Sequence, residues 1–382
     1  MLTALAIEGY RSLRDVVVPL APLTVVTGAN GSGKSSLYRA LRLLAGASRN
    51  GAIAALAREG GLPSTLWAGP ENGTADGMPT QGTRRKGPVA LRLGFAGDEF
   101  SYAMDLGLPV PGETMFGRDP EIKVEAVWSG PVLRPSTLLT ERHGPSVRIR
   151  DAAGDWQRHE LGLRPYDSML SELADPRAAP ELLAVREQLR SWRFYDDFRT
   201  DAAAPARAAQ VGTRTPVLGG DGADLAAALQ TVRELGPSGV LDAAVGRAFP
   251  GSSVGIVDHD GLFGIELRQP GLLRALSAAE LSDGTLRYLL WVAALLSPRP
   301  PALLVLNEPE TSLHPDLIEP LAELIAGAVT DSQVVVVSHA PRLIAALEGR
   351  GASRIELEKS GGETRVVGQG PLDGPPWSWP KR

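Results

Sequence analysis

The sequence predicts an α/β protein in which a mixed sheet carries a phosphate-binding loop, with an antiparallel β subdomain and an inserted helical lobe. Three observations point there. An apolar stretch, 23–27, runs into Gly28-Ala29-Asn30-Gly31-Ser32-Gly33-Lys34-Ser35 and on into residues at helical spacing. Strand and helix patterns alternate again over 271–370. Between the two regions lie short alternating stretches bounded by Gly or Pro, then helical pieces.

Composition sets the limits. At roughly 150 residues per domain, a chain of 382 residues holds two to three structural units. With 43% hydrophobic and 22% charged residues it buries a core rather than staying disordered. The absence of cysteine excludes disulfides, Cys-based zinc sites, iron–sulfur clusters and thiol catalysis. A net charge of −5 argues against a surface that grips nucleic acid everywhere, although a local basic patch fits within it. The longest apolar run, 289–296, is far short of the ~20 residues of a membrane helix, and Glu8 interrupts the start where a signal peptide stays apolar. The expectation is a cytoplasmic protein with no membrane partner.

Taken in order, 2–7, 16–18 and 23–27 read as strands and 37–44 as a helix. From 47 to 88 the composition turns to Gly, Pro, Ser, Thr and Asn, which predicts a surface loop, emptiest of apolar residues over 70–82. PVALRLGF, EFSYAMDL, EIKVEAVW and PSVRIRD predict antiparallel strands within 88–160. Helices are expected over 166–174, 180–192, 224–235 and 240–249, with no heptad pattern long enough for coiled-coil arms. Strands at 254–257 and 262–268 precede a helix near Ser282, a buried run 302–306, a helix 315–329, the run 334–337 and a helix 341–347. The Pro-rich tail predicts an extended cap or a disordered end. The boundaries that follow are 1–60, a loop 61–87, a β-rich then helical lobe 88–270, 271–370, and a tail 371–382.

The loop Gly28 to Ser35 matches GxxxxGK[ST] in the strand-to-helix context that its chemistry needs, and chance predicts only about 0.01 such matches in this chain. Glycines let backbone N–H groups converge on phosphate oxygens, and the helix beginning at Gly33 adds its positive end. Lys34 is placed for the β and γ phosphates and Ser35 for magnesium. The nucleotide-binding set is Gly28, Asn30, Gly31, Ser32, Gly33, Lys34, Ser35 and Ser36. Such a loop needs a second polar strand end, supplied by Asn307, Glu308 and Glu310 after the run 302–306. Ser282 precedes the apolar face Leu286, Leu289 and Leu290 and predicts an N-cap whose helix end faces an anion.

These motifs occur as IEGYRSLRDVVVPLAPLTVVTGANGSGKSSL, LSDGTLRYL, LLVLNEPETSLHP and VVVVSHAPRLI. In that order they resemble the ATP-binding-cassette (ABC) ATPases of the RecF, SMC and OLD group, in particular the single-chain RecF-like ATPases of the AAA type. The likeness covers roughly the first 45 and the last 90 residues. It implies a P-loop ATPase head that binds ATP with Mg²⁺ and forms an ATP-dependent head-to-tail homodimer. Ser282 and Gly284 would then contact the γ-phosphate held by the other copy. The resemblance further implies Glu308 as general base, His339 as γ-phosphate sensor, and Ser35 with Asn307 at the metal. Tyr10 and Arg11 stand near where relatives contact the base. Glu310, Ser312 and His314 occupy the segment that crosses the dimer interface, with Leu313 packing inward. DNA and a repair or defence effector are the partners it implies, with a role in double-strand break repair or genome defence.

Asn307 departs from the group's pattern, which has an Asp there. An amide removes one formal charge from the metal site, so weaker Mg²⁺ affinity and slow turnover are expected. Two other readings stand beside the switch: a regulatory nucleotide-binding scaffold with little hydrolysis, and a transporter cassette. The cassette is disfavoured because the phosphate loop and the LSDG motif are separated by a long insert. Neither Gln81 nor Gln157 has the context of a glutamine loop. His143, His159 and His259 lack zinc-site spacing. Arg84, Arg85 and Lys86, and Arg186, Arg190 and Arg193, are candidate phosphate-backbone contacts, with a solvated helix face the favoured reading.

Overall fold

In a computed structural model of the chain, strand Leu2–Tyr10 lies between Leu13–Pro19 and Leu91–Gly97 and runs antiparallel to both. The structure describes residues 1–49, 51–69, 87–159, 162–173, 175–196, 198–370 and 373–382. They form two units, one of Met1–Ala21, Val26–Trp192 and Ile355–Arg382, the other of Pro22–Val25 and Arg193–Arg354.

In the first unit an eight-stranded antiparallel sheet continues from Leu91–Gly97 as a meander through Phe100–Gly107, Glu121–Ser129, Leu138–His143, Ser146–Arg150 and Trp156–Arg158. Helix Lys34–Ala47 rests on the strands Leu2–Tyr10 and Leu91–Gly97. It buries Leu37, Leu41 and Leu44, whose spacing of three to four places them on one face. Each such leucine contributes about 1.5–3 kcal/mol. Hairpin Ser353–Ser360 and Glu363–Val366 completes the unit beside the end of strand Leu23–Gly28.

Several expectations change in this unit. The loop expected over 47–88 contains helices Ala52–Arg58 and Leu62–Thr65, because AIAALAR is a strong helix former and Ala52 and Leu56 find a buried place. The stretch 70–86, with Gln81, Arg84, Arg85 and Lys86, lies outside the described residues. The helix expected over 166–174 shortens to Met169–Glu172. A buried carboxylate fixes its start: Glu125 accepts from the Tyr102 and Ser168 hydroxyls at 2.7 and 2.5 Å and from the Met169 amide at 2.9 Å. Fully buried Arg142 neutralises it at 3.0 Å. The tail is an extended cap: Trp377 packs on Trp128 with ring centroids 5.5 Å apart, and Arg382 grips Asp105 at 2.6 and 2.7 Å.

In the second unit the strand order is Arg193–Tyr195, Leu303–Asn307, Gln333–Val337 and then the start of Leu23–Gly28. The first three are parallel, with Val305 opposite both Phe194 and Val335. Continuous runs such as LLVL and VVVV suit a parallel sheet buried on both faces. Helices Leu225–Leu235, Val240–Ala248, Asp283–Leu295, Ile318–Ala328 and Pro341–Glu348 surround a core in which Phe198 meets Trp291 edge-on at 4.9 Å. Strands Ser253–His259 and Leu262–Arg268 pair antiparallel, joined by the two-residue strands Gln210–Val211 and Leu276–Ser277.

Candidate functional site

The residues assigned to a nucleotide site divide between the two units, the phosphate loop in the first and Ser282, Asn307, Glu308 and His339 in the second. Ser35 and Asn307, read together as metal ligands, therefore stand in different units.

In the first unit strand Leu23–Gly28 delivers the chain into the loop, and helix Lys34–Ala47 leaves it. Gly33 sits at φ 111°, and a Cβ there would come within 2.3 Å of the Thr364 hydroxyl, so only glycine fits. No side chain caps the helix and no acidic residue lies in its first turn, which leaves its positive end open to an anion. The ammonium of Lys34 donates to the carbonyls of Gly28 at 2.7 Å and Ala29 at 3.0 Å. Asn30, Gly31 and Ser35 are exposed, Ser36 is half-buried, and Ser32 is buried with its hydroxyl unpartnered.

Sequence reasoning missed the brace behind this loop. The Thr364 hydroxyl lies 2.8 Å from both the Ser32 carbonyl oxygen and the Ser12 hydroxyl. With one proton, it donates to the carbonyl, which cannot donate, and accepts from Ser12. The Thr364 amide also donates to the Ser12 carbonyl at 2.7 Å. No local pattern marks Thr364, because its partners lie more than three hundred residues earlier.

In the second unit Glu308 follows strand Leu303–Asn307 at φ 48°, a left-handed conformation that costs a non-glycine residue about 1 kcal/mol or more. Its amide donates to the Val337 carbonyl at 2.7 Å, which fixes the strand end. The His339 ring nitrogen Nδ1 stands 3.3 Å from the Glu308 carboxylate, and both side chains are about half exposed, at 54% and 42%. Glu310 behaves otherwise than expected. Instead of reaching outward it is 8% exposed and accepts from the Ser338 hydroxyl at 2.6 Å, with the His339 ring 3.9 Å away. A buried carboxylate needs donors, and the adjacent strand end supplies them to Oε1, while Oε2 has no hydrogen-bond partner among the described residues. Leu313 is half-buried as expected, and His314 caps the turn Pro315–Leu317 by accepting from the Asp316 amide at 3.3 Å.

Ser282 is the N-cap of helix Asp283–Leu295, accepting from the Thr285 amide at 3.2 Å. From Leu286 onward every residue of that helix is buried, whereas Ser282 and Asp283 are exposed. The motif is thus the open end of a helix sunk in the core. A Cβ on Gly284 would meet the Ser312 carbonyl oxygen at 3.3 Å, so the turn after Glu310 packs against the motif.

Other candidates fall away. Tyr10 is fully buried with its hydroxyl on Glu59 at 2.5 Å, and burial pushes its phenol pKa up, so its ring offers no face to a base. Arg11 binds the same carboxylate at 2.9 Å. Arg186 and Arg190 both pair with Glu187, which makes that helix face an ion-paired surface. Among the described residues no group of three His, Asp or Glu could hold a metal ion by itself.

The chain is similar to known proteins over most of its length. Residues 23–345 match the family described as "AAA domain, putative AbiEii toxin, Type IV TA system". A 46-residue stretch is 44% identical to an OLD nuclease of Thermus scotoductus, covering 12% of this chain and 9% of that one, so the match spans less than a tenth of that relative. Among solved structures, an SMC head bound to the C-terminal winged-helix domain of ScpA matches with TM-score 0.53 and 14% identity, over 96% of this chain and 97% of the other. The SMC head from Pyrococcus furiosus, bound to the C-terminal domain of ScpA, gives TM-score 0.50 at 15% identity, over 96% and 95%. The fold is that of an ABC-type P-loop ATPase head. The chain belongs to the AAA family named above, and its fold is of the RecF, SMC and OLD type of ATPase head.

Proposed function

We propose that this chain binds and hydrolyses ATP as a dimerising switch, two copies closing head to tail over two nucleotides, in double-strand break repair or genome defence. The observation that carries this reading is the pair Glu308 and His339, a carboxylate on a strained backbone at a strand end with an imidazole 3.3 Å away. Strain of this kind persists where function needs the geometry.

In this reading Lys34 exchanges the carbonyls of Gly28 and Ala29 for β and γ phosphate oxygens, and the amides from Gly31 to Ser36 receive the remaining phosphate charge. Glu308 polarises the attacking water as general base while His339 senses the γ-phosphate. Ser282 and Gly284 approach that phosphate from the second copy, at a helix end open to solvent. Mg²⁺, which would offset phosphate charge, would be held by Ser35, Asn307 and the nucleotide itself, oxygen donors that suit a hard cation. Glu310 orients the segment bearing His339 through Ser338.

Genome defence is supported by the toxin–antitoxin wording of the family and by the short OLD nuclease match. The partners in this reading are DNA and an effector protein. Among the described residues no helix is long and apolar enough to cross a membrane, and we place the action in the cytoplasm. Asn307 favours a second reading, a regulatory scaffold that binds ATP and barely hydrolyses it.

Light scattering and phosphate release, with and without duplex DNA, test both. With ATP and Mg²⁺, Glu308→Gln should accumulate at twice the chain mass while Lys34→Ala stays monomeric. Equal masses for the two variants would remove the switch. A wild-type rate no higher than that of Glu308→Gln would leave the scaffold.

A further inference from the structure

Arg207, in the turn Pro205–Arg207 of the helical lobe, ties the segment that leads into the Ser282 helix to the backbone at 200–201. Its Nη1 donates to the carbonyls of Ala278 at 3.0 Å, Ala279 at 3.3 Å and Leu281 at 2.7 Å. Its Nη2 donates to the Asp283 carboxylate at 2.6 Å and to the Thr200 carbonyl at 2.7 Å. Nε reaches the carbonyls of Thr200 and Asp201, each at 3.0 Å. The side chain is 9% exposed, whereas Asp283 is 61% exposed. One cation therefore fixes five backbone carbonyls, two at 200–201 and three within 278–281, and one carboxylate, all within the second unit.

The placement has an electrostatic meaning. Asp283 stands between Ser282 and Gly284 at the open end of the helix. A free carboxylate there would repel a triphosphate, whereas one paired with a guanidinium leaves the helix dipole to attract it. The far side of the segment is fixed separately. Ser277 and Glu280 form a capping box, and Arg274 pairs with Glu280 at 2.6 Å.

We infer that Arg207 is the positioning residue of helix Asp283–Leu295: it holds Ser282 and Gly284 in register and cancels the charge of Asp283, so that the helical lobe controls whether the helix end accepts the other copy's nucleotide. This rests on the head-to-tail reading above.

The test uses mixed dimers of full-length chains. Arg207→Met should lower the second-order rate constant for ATP by about tenfold to a hundredfold, the scale of a lost charge-assisted contact. Arg207→Lys, which keeps the charge but not the fork, should recover part of it. If Arg207 serves helix Asp283–Leu295, a Lys34→Ala chain supplies the intact helix that Arg207→Met lacks. An equal mixture should then regain about a quarter to a half of wild-type turnover, since each mixed dimer carries one complete site of two and Lys34→Ala does not pair with itself. Ser282→Glu mixed with Lys34→Ala is the control. Recovery with Ser282→Glu but none with Arg207→Met would overturn the role of Arg207, whether the cause is misfolding or an effect on its own chain's nucleotide. Recovery with neither variant would overturn the head-to-tail reading, and this inference with it. Wild-type turnover in Arg207→Met alone would also end it.

Discussion

Single atoms decide much of what the phosphate loop is. The Thr364 hydroxyl both bridges Ser12 to Ser32 and occupies the space that forbids a side chain at Gly33. Thr364→Val keeps the shape and removes both hydrogen bonds, leaving the Ser32 carbonyl without that donor. It should destabilise the fold by about 1–3 kcal/mol in urea unfolding, with weaker ATP binding. No change in either would show that the loop holds its form without the brace. Asn307 presents the opposite case, a residue whose chemistry is legible and whose consequence is a quantity. Asn307→Asp adds one negative charge at the strand end and should lower the Mg²⁺ concentration for half-maximal turnover by about tenfold. An unchanged titration would place Asn307 outside the metal's reach.

At the scale of elements, the helix Asp283–Leu295 shows how a core positions chemistry. Its burial from Leu286 to Leu295 gives it no freedom to rotate, so the polar first turn is held as firmly as the core itself. The tail depends on packing in the same way. Its prolines forbid a regular element, and Trp377 instead packs at a tilt on Trp128 and meets Trp379 edge-on, 5.1 Å away. Gly94 makes room, since a Cβ there would lie 2.6 Å from the Trp377 ring. Trp377→Ala should cost about 1–3 kcal/mol, read as a lower melting temperature and a weakened near-ultraviolet signal from the tryptophans. An unaltered melt would mean that the cap contributes nothing to stability.

Over the whole molecule, the amino-acid sequence by itself determined the chemistry: the glycine-rich loop with its lysine, the serine at a helix start, the carboxylate at a strand end and the histidine after the next strand. Each of these is local, because a few neighbouring residues contain both the signal and its structural context. The parallel runs LLVL and VVVV and the amphipathic helices were legible for the same reason. Only the tertiary structure decided that Thr364 braces the loop, that Glu310 turns inward to Ser338, that Arg207 clamps the approach to Ser282, and that Glu125 with Arg142 shortens a helix. It also added strands such as Leu138–His143 and Arg193–Tyr195, whose own residues alternate weakly and which exist because a neighbour offers unpaired backbone. A hydrogen bond between residues far apart in the chain leaves no periodic trace in either one, so its partners become known only once folding has brought them together.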